Sequence, residues 1–356
     1  MMRNDGKNET FSIVECRKSL FVVRDRQNER QKHRASERRK MMEVVIQVAL
    51  LAVGFVLLVK GADWFVEGAS RLAERFGIPQ LVIGLTIVAM GTSLPEAAVS
   101  VSAALKGSAE ITIGNIVGSN IMNVLLILGI TSVITPIAVQ KSTVKYEIPF
   151  VIIVSAVLMG IGYTDRMVGR MDGIILWALM LLYLGYLLVM AKKGNGLPEE
   201  MEETESDKPM SVWKMLLLIL IGGVMIVAGS DVAVDAATAL ARIFGMSERL
   251  IGLTIVAFGT SLPELVTSAT AAVKGKADIA VGNIVGSNIF NILFVVGTSA
   301  LITPVAYAAN FYVDSIVCIA TAVLLWVLVV KNKRLGRAGG ACMLVCYAAY
   351  FVYLIR

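Results

Sequence analysis

Gly91-Thr92-Ser93-Leu94-Pro95-Glu96 lies in the middle of an apolar run and returns unchanged as Gly259-Thr260-Ser261-Leu262-Pro263-Glu264. A carboxylate beside a helix-breaking proline is costly in a segment long enough to cross a membrane, and here that cost is met twice. The hexapeptide is the centre of a longer duplication. Residues 83–136 align with residues 251–304 at a constant offset of 168, without a gap and with 34 identities in 54 positions. The register extends upstream to Gly61-Ala62-Asp63 against Gly229-Ser230-Asp231. The chain is a duplicated half-protein, so a residue in one half is read together with its counterpart.

Composition sets the class around this repeat. Hydrophobic residues are 56% of the chain and charged residues 17%. With apolar stretches of membrane length, this is an all-α membrane protein, and soluble folds are excluded. Residues 1–40 differ: they hold 12 Lys/Arg and 6 Asp/Glu, which leaves 21 of each sign in the rest of the chain. A basic arm can meet anionic lipid or nucleic acid, whereas six acidic residues argue against a transit peptide. Residues 1–41 are read as a basic extension without fixed structure, outside the working body or upstream of the native start at Met41 or Met42. The only histidine, His33, lies there. Cys16, Cys318, Cys342 and Cys346 form neither a CxxC pair nor a zinc set, and are read as packing residues.

The apolar runs predict ten spans. The first repeat, 42–190, holds 44–59 continuing to 76, then 81–106, 109–134, 146–163 and 171–190. The second, 213–356, holds 213–228 continuing to 244, then 250–274, 278–302, 311–330 and 338–355. Between them, 191–212 is polar and acidic, with Glu199, Glu200, Glu202, Glu203, Glu205 and Asp207. It reads as a solvated linker, with regulatory cation binding the alternative. Because five is odd, the second copy enters the membrane in the opposite sense, which makes the halves inverted repeats. Of the 21 Lys/Arg beyond the arm, 15 flank the connections on the linker's side and 6 the other. The positive-inside rule then places the linker in the cytoplasm and both ends of the body outside, in a cell (inner) membrane.

Depth separates site from scaffold. Residues 81–106 would span about 39 Å as a straight helix, more than the roughly 30 Å hydrocarbon core, so the span tilts or breaks. Its midpoint falls at Ser93–Leu94, and that of 109–134 falls between Asn120 and Asn123. Thr92 and Glu96 share a helix face, as do Ser119 and Asn123; their counterparts are Thr260 with Glu264 and Ser287 with Asn291. Pro95 and Pro263 each free a carbonyl one turn upstream, near 89–92 and 257–260. Carboxylates, hydroxyls, amide oxygens and freed carbonyls make an all-oxygen cage suited to Ca²⁺ or Na⁺ rather than to transition metals. Taken singly, the proline is a kink and the Ser, Thr and Asn residues are helix glue. Glu96 and Glu264 resist that account, because an ionised group at mid-membrane costs about 2.5–3.5 kcal/mol on insertion scales.

Gly84, Gly91, Gly114, Gly118 and Gly129, with Gly252, Gly259, Gly282, Gly286 and Gly297, read as close-packing positions. Asp63 and Asp231 read as interface or capping residues, with the lining of a cation path as the alternative.

The paired motifs, Gly-Thr-Ser-Leu-Pro-Glu and then Gly-Asn-Ile-Val-Gly-Ser-Asn-Ile-x-Asn in each half, resemble the α-repeats of the calcium/cation antiporter superfamily, in particular prokaryotic sodium/calcium exchangers. The resemblance covers nearly all of 42–356. It implies ten transmembrane helices in two inverted five-helix repeats, with Na⁺ and Ca²⁺ bound at the midplane. By position the implied ligands are Glu96, Glu264, Thr92, Ser93, Thr260, Ser261, Ser119, Ser287, Asn123 and Asn291, with the carbonyls of Ala89 and Ala257. The chain departs from the archaeal pattern at Asn291, where an aspartate is usual.

The expectation is a transporter rather than an enzyme, exchanging Ca²⁺ for Na⁺ with no cofactor. Its partners would be small cations and the bilayer, without nucleic acid or an obligate protein. The alternatives are Ca²⁺/H⁺ antiport and, from another class, a cation channel. The orientation has its own test. With the native cysteines replaced, Ser206→Cys in the linker should stay unlabelled when impermeant thiol reagent is added to intact cells, and label once the membrane is opened.

Overall fold

The computed structural model describes residues 6–105, 110–193, 210–245, 257–309 and 311–355. The linker acids from Glu199 to Asp207, Lys106, and the start of the expected span 250–274 fall outside the described residues. Helix α1 (Gly6–Phe76) is continuous. The basic arm, expected to lack fixed structure, runs into it as helix. The physical reason is its richness in Glu, Lys, Arg and Gln, all strong helix formers. Its part from Glu37 to Phe76 is long and apolar enough to cross a membrane.

The second span breaks into α2 (Gln80–Thr92) and α3 (Leu94–Leu105), which meet at 47°. There follow α4 (Thr112–Ile134), α5 (Thr143–Asp165), α6 (Arg170–Lys192) and α7 (Val212–Ile243). The second broken pair is α8 (Ala257–Thr260) and α9 (Leu262–Val273). The chain closes with α10 (Ala277–Ile302), α11 (Phe311–Val330) and α12 (Arg337–Leu354). Among the described residues eight helices are long and apolar enough to cross a membrane, and the bent pair makes a ninth.

Both breaks have one cause. Pro95 and Pro263 bring no amide to the helix and crowd the carbonyl four residues back. The chain relaxes one residue before each leucine: Ser93 has φ −85° and ψ 10°, and Ser261 has φ −94° and ψ 5°. These are bridge-region values, where a helix gives up one turn and restarts. A second irregularity repeats as well. Short π-helical segments begin at Asn123 (Asn123–Leu128) and at Asn291 (Asn291–Val296), each widening the helix at an expected ligand.

Packing places these irregular segments at the centre. The most apolar window of α10 is 94% buried and that of α4 78%, against 11% for α1 and for α12. Gly282 lies against the Gly84 backbone and Gly286 against Leu85 and Ala89, as small-residue packing anticipates. Two short ladders tie the halves at the edges: β1 (Ile137–Ala138) pairs with β4 (Arg334–Leu335), and β2 (Met167–Val168) with β3 (Val305–Ala306). Cys318 is buried, in keeping with a packing role, whereas Cys342 is exposed; Cys318, Cys342 and Cys346 are all free thiols.

The seam between α1 and α7 went unnoticed in the sequence. The two helices run antiparallel, with Gly54 facing Gly229, Gly61 facing Gly222, and Gly68 facing Met215. A Cβ at Gly229 would stand 2.8 Å from the Gly54 carbonyl oxygen and 2.8 Å from the Leu58 nitrogen. The signal was legible: Gly54, Gly61 and Gly68 are seven residues apart, and so are Gly222 and Gly229. Gly229→Ala should therefore force the helices apart and cost about 1–3 kcal/mol of stability. Gly185→Ala, with nothing within 4 Å of its added carbon, should not. Thermal unfolding in detergent compares the two directly.

Candidate cation site

The two helix breaks bring their hydroxyls across to the opposite carboxylate. Ser93 Oγ donates to Glu264 Oε1 at 2.8 Å, and Ser261 Oγ donates to Glu96 Oε1 at 3.2 Å. Glu96 and Glu264 are both fully buried. Each therefore depends on the other half for a hydrogen bond, because a buried carboxylate without donors is heavily penalised. Ser119 stands near Glu96, and Thr92 and Ser287 stand near Glu264.

The amides complete the arrangement. Asn123 Nδ2 donates to Asn288 Oδ1 at 3.0 Å, and Asn291 Nδ2 donates to Asn120 Oδ1 at 3.1 Å. With the NH₂ groups committed outward, the amide oxygens of Asn123 and Asn291 are left buried and without a partner. Glu96 Oε2 and Glu264 Oε2 are in the same condition. Four buried acceptors at two pairs of equivalent positions have no donor, and each unsatisfied group costs about 1–3 kcal/mol. A cation suits acceptors of this kind, since it takes oxygen ligands and needs no hydrogen. Among the described residues no three His, Cys, Asp or Glu side chains gather into a metal cluster, so any cation here must be held largely by neutral oxygens.

The remaining expected ligands are placed unevenly. Thr92 is buried and donates to Asn283 Oδ1 at 2.9 Å, with the Ala89 carbonyl at 3.3 Å as its second acceptor. The Ala89 carbonyl, read from sequence as freed by Pro95, is in use: it also accepts from the Ser93 amide at 3.1 Å and the Ser287 hydroxyl at 3.4 Å. The proline's ring reaches the carbonyl of Gly91, four residues back, so Ala89 keeps its ordinary helical bond to Ser93. Thr260 is only partly buried and lines a cavity with Gly259. Ala257 opens α8, directly after the undescribed residues.

Other residues hold the site without having been singled out. Asn120 and Asn288 are buried and clasp each other's backbone: Asn120 Nδ2 donates to the Asn288 carbonyl at 3.1 Å and Asn288 Nδ2 to the Asn120 carbonyl at 3.2 Å. Asn115 Nδ2 donates to the Glu96 carbonyl at 3.3 Å and Ser100 Oγ at 3.0 Å; Asn283 Nδ2 does the same to the Glu264 carbonyl at 3.4 Å and Ser268 Oγ at 2.9 Å. These asparagines were detectable, because each recurs at the repeat offset. Ser230 was not, because its counterpart is Ala62. Its hydroxyl donates at 2.9 Å to the carbonyl of Gly259, the one that Pro263 deprives of an amide.

Comparison with known proteins identifies the family of the whole chain. The family model described as sodium/calcium exchanger protein matches residues 46–190 and 214–356. The inner membrane protein YrbG of Escherichia coli (strain K12) is 40% identical over 309 residues, covering 84% of this chain and 94% of the relative. The sodium/calcium exchanger MaX1 of Methanosarcina acetivorans is 31% identical over 347 residues, with 87% and 99% covered. Among solved structures, the sodium-calcium exchanger NCX_Mj soaked with 2.5 mM Na⁺ and 10 mM Sr²⁺ superposes with a TM-score of 0.75 at 33% identity, covering 87% of this chain and 99% of that one. This chain is a membrane antiporter of the sodium/calcium exchanger family.

Proposed function

We propose that the protein exchanges Ca²⁺ for Na⁺ by alternating access at the site between the two helix breaks. The observation that carries this reading is the set of four buried, donor-free oxygens on Glu96, Glu264, Asn123 and Asn291. Two carboxylates give the site a charge of −2, which one Ca²⁺ neutralises. Ser93, Ser261, Ser119, Ser287, Thr92, Thr260 and the carbonyls of Ala89 and Ala257 are the further oxygens of the cage. Their hydroxyls can rotate from their present acceptors to present a lone pair to an ion.

The scaffold we propose is ten helices in two inverted five-helix repeats, 42–190 and 213–356, joined by a cytoplasmic linker. Reciprocity supports it. Contacts made by one copy on the other are returned at equivalent positions, as in the Ser93/Glu264 and Ser261/Glu96 bonds and the β1/β4 and β2/β3 ladders. The first helices of the two copies run antiparallel, and an operation that exchanges them must reverse their direction. Inverted halves suit a carrier, because the two outward approaches to the site are then equivalent by construction.

Two experiments decide the reading. In proteoliposomes, ⁴⁵Ca²⁺ uptake should be driven by an imposed Na⁺ gradient and not by H⁺ or K⁺ alone. Glu96→Gln or Glu264→Gln should weaken it by roughly 30-fold or more, the equivalent of about 2 kcal/mol for one buried charge contact, while the protein still inserts. Near-parental uptake by either variant defeats the site. Asn291→Asp addresses coupling: a charge of −3 matches three Na⁺, so Na⁺ should inhibit Ca²⁺ uptake at lower concentration. Each net charge moved is worth about 2.3 kcal/mol per 100 mV, so a changed coupling should also alter the voltage dependence of exchange.

A further inference from the structure

Asp63 and Glu67 on α1 correspond, at the repeat offset, to Asp231 and Asp235 on α7. Each pair is spaced i,i+4 and so lies on one helix face. The antiparallel seam sets them on opposite sides of the crossing. Gly229 and Ala233, which flank Asp231, face Gly54, nine residues from Asp63 on α1, or about 14 Å at about 1.5 Å per residue. The two equivalent acid pairs thus stand at two different levels of the seam.

Their surroundings differ. On α1 the pair is filled by an ammonium group: Lys274 Nζ lies 2.7 Å from Asp63 Oδ1 and 3.7 Å from Glu67 Oε2, and donates to the Asp63 carbonyl at 3.1 Å. The other oxygen of Glu67 is held by Arg71 at 2.5 Å. Lys276 reinforces the joint through Glu74 at 3.0 Å. Lys274 caps the C-terminus of α9, the helix that begins with Leu262-Pro263-Glu264. The bridge therefore ties a ligand-bearing helix of the second half to the first helix of the first half.

On α7 the equivalent acids are exposed, and among the described residues no lysine bridges them. Asp231 and Asp235 line a cavity of about 510 Å³ whose walls include Pro95, Gly259 and Thr260, beside both helix breaks. Equivalent valines register the contrast. Val66 is completely buried, while Val234 lines the cavity.

We propose that the Lys274 bridge to Asp63 and Glu67 is a latch that closes one approach to the cation site while the cavity lined by Asp231 and Asp235 is the open one. This rests on the antiport reading and deepens it, by naming the contact that must break for the site to change sides. With the linker cytoplasmic, the latched approach is the inner one. Partly exposed ion pairs are weak, so the latch biases the two states by a few-fold rather than locking one of them. A carrier that must cycle needs a closure of that strength.

The test uses the full chain in proteoliposomes with the native cysteines replaced and one reporter at a time, Val66→Cys or Val234→Cys, labelled by an impermeant maleimide from either side. In the parent, the reporter at 234 should label and the reporter at 66 should be protected. Lys274→Gln, and independently Asp63→Asn, should raise labelling at 66 about two- to five-fold and slow labelling at 234. The charge exchange Asp63→Lys with Lys274→Asp should restore the parental pattern. Unchanged rates at both reporters in both single variants overturn the latch, and so does a charge-exchanged protein that labels like Lys274→Gln. A failed antiport reading looks different: the labelling pattern shifts as expected, but ⁴⁵Ca²⁺ uptake ignores the Na⁺ gradient.

Discussion

Two carboxylates buried among apolar helices are the constraint on which the rest of the structure depends. An ionised group there must be met by hydrogen bonds and by a counter-charge, or it will not stay charged. Glu96 and Glu264 receive their hydrogen bonds from Ser261 and Ser93 in the opposite half, and each keeps one oxygen unmet. The helix breaks, the asparagine clasps and the π-helical segments all serve that arrangement. Proline creates the break, serine occupies it, and the carboxylate one turn on is delivered to the centre with its partner already opposite.

Exchange of contacts between the copies has an energetic consequence. Neither half can satisfy its own site. Asn123 is oriented by Asn288 and Asn291 by Asn120, while Asn120 and Asn288 hold each other. Each of these amides is thus oriented by the other half, which couples the two copies at the centre. The α1/α7 pair is joined differently: its contact with the centre is largely apolar, and its own seam is close-packed through Gly54, Gly61, Gly222 and Gly229. Side chains of the facing helix, such as Ala233 and Met225, fill the notches left by Gly54 and Gly61, and the Lys274 bridge to Asp63 ties α1 to α9.

The copies are equivalent but not identical, and the differences lie beside the site. Ser230 holds the Gly259 carbonyl, whereas Ala62 offers no donor at the corresponding place. Glu74 accepts from Lys276 in one half, while the corresponding positions of the other half are Arg242 and Ser108.

Much of this was legible without coordinates, because the information was local or periodic. The gapless offset of 168 identified the duplication, and the Leu-Pro-Glu tripeptide located both breaks, since a missing amide acts on its own chain whatever surrounds it. Residue type alone specified oxygen chemistry. Tertiary structure decided what depends on the facing side chain. It committed the amide nitrogens of Asn123 and Asn291 outward, which leaves their oxygens as acceptors. It showed the Ala89 carbonyl already engaged by Ser93 and Ser287. It also gave Asp63 a lysine 211 residues away, while its counterpart Asp231 was left to line a cavity. A repeat states which positions are equivalent; only packing decides which of two equivalent positions gains a partner, because that partner comes from a distant part of the chain.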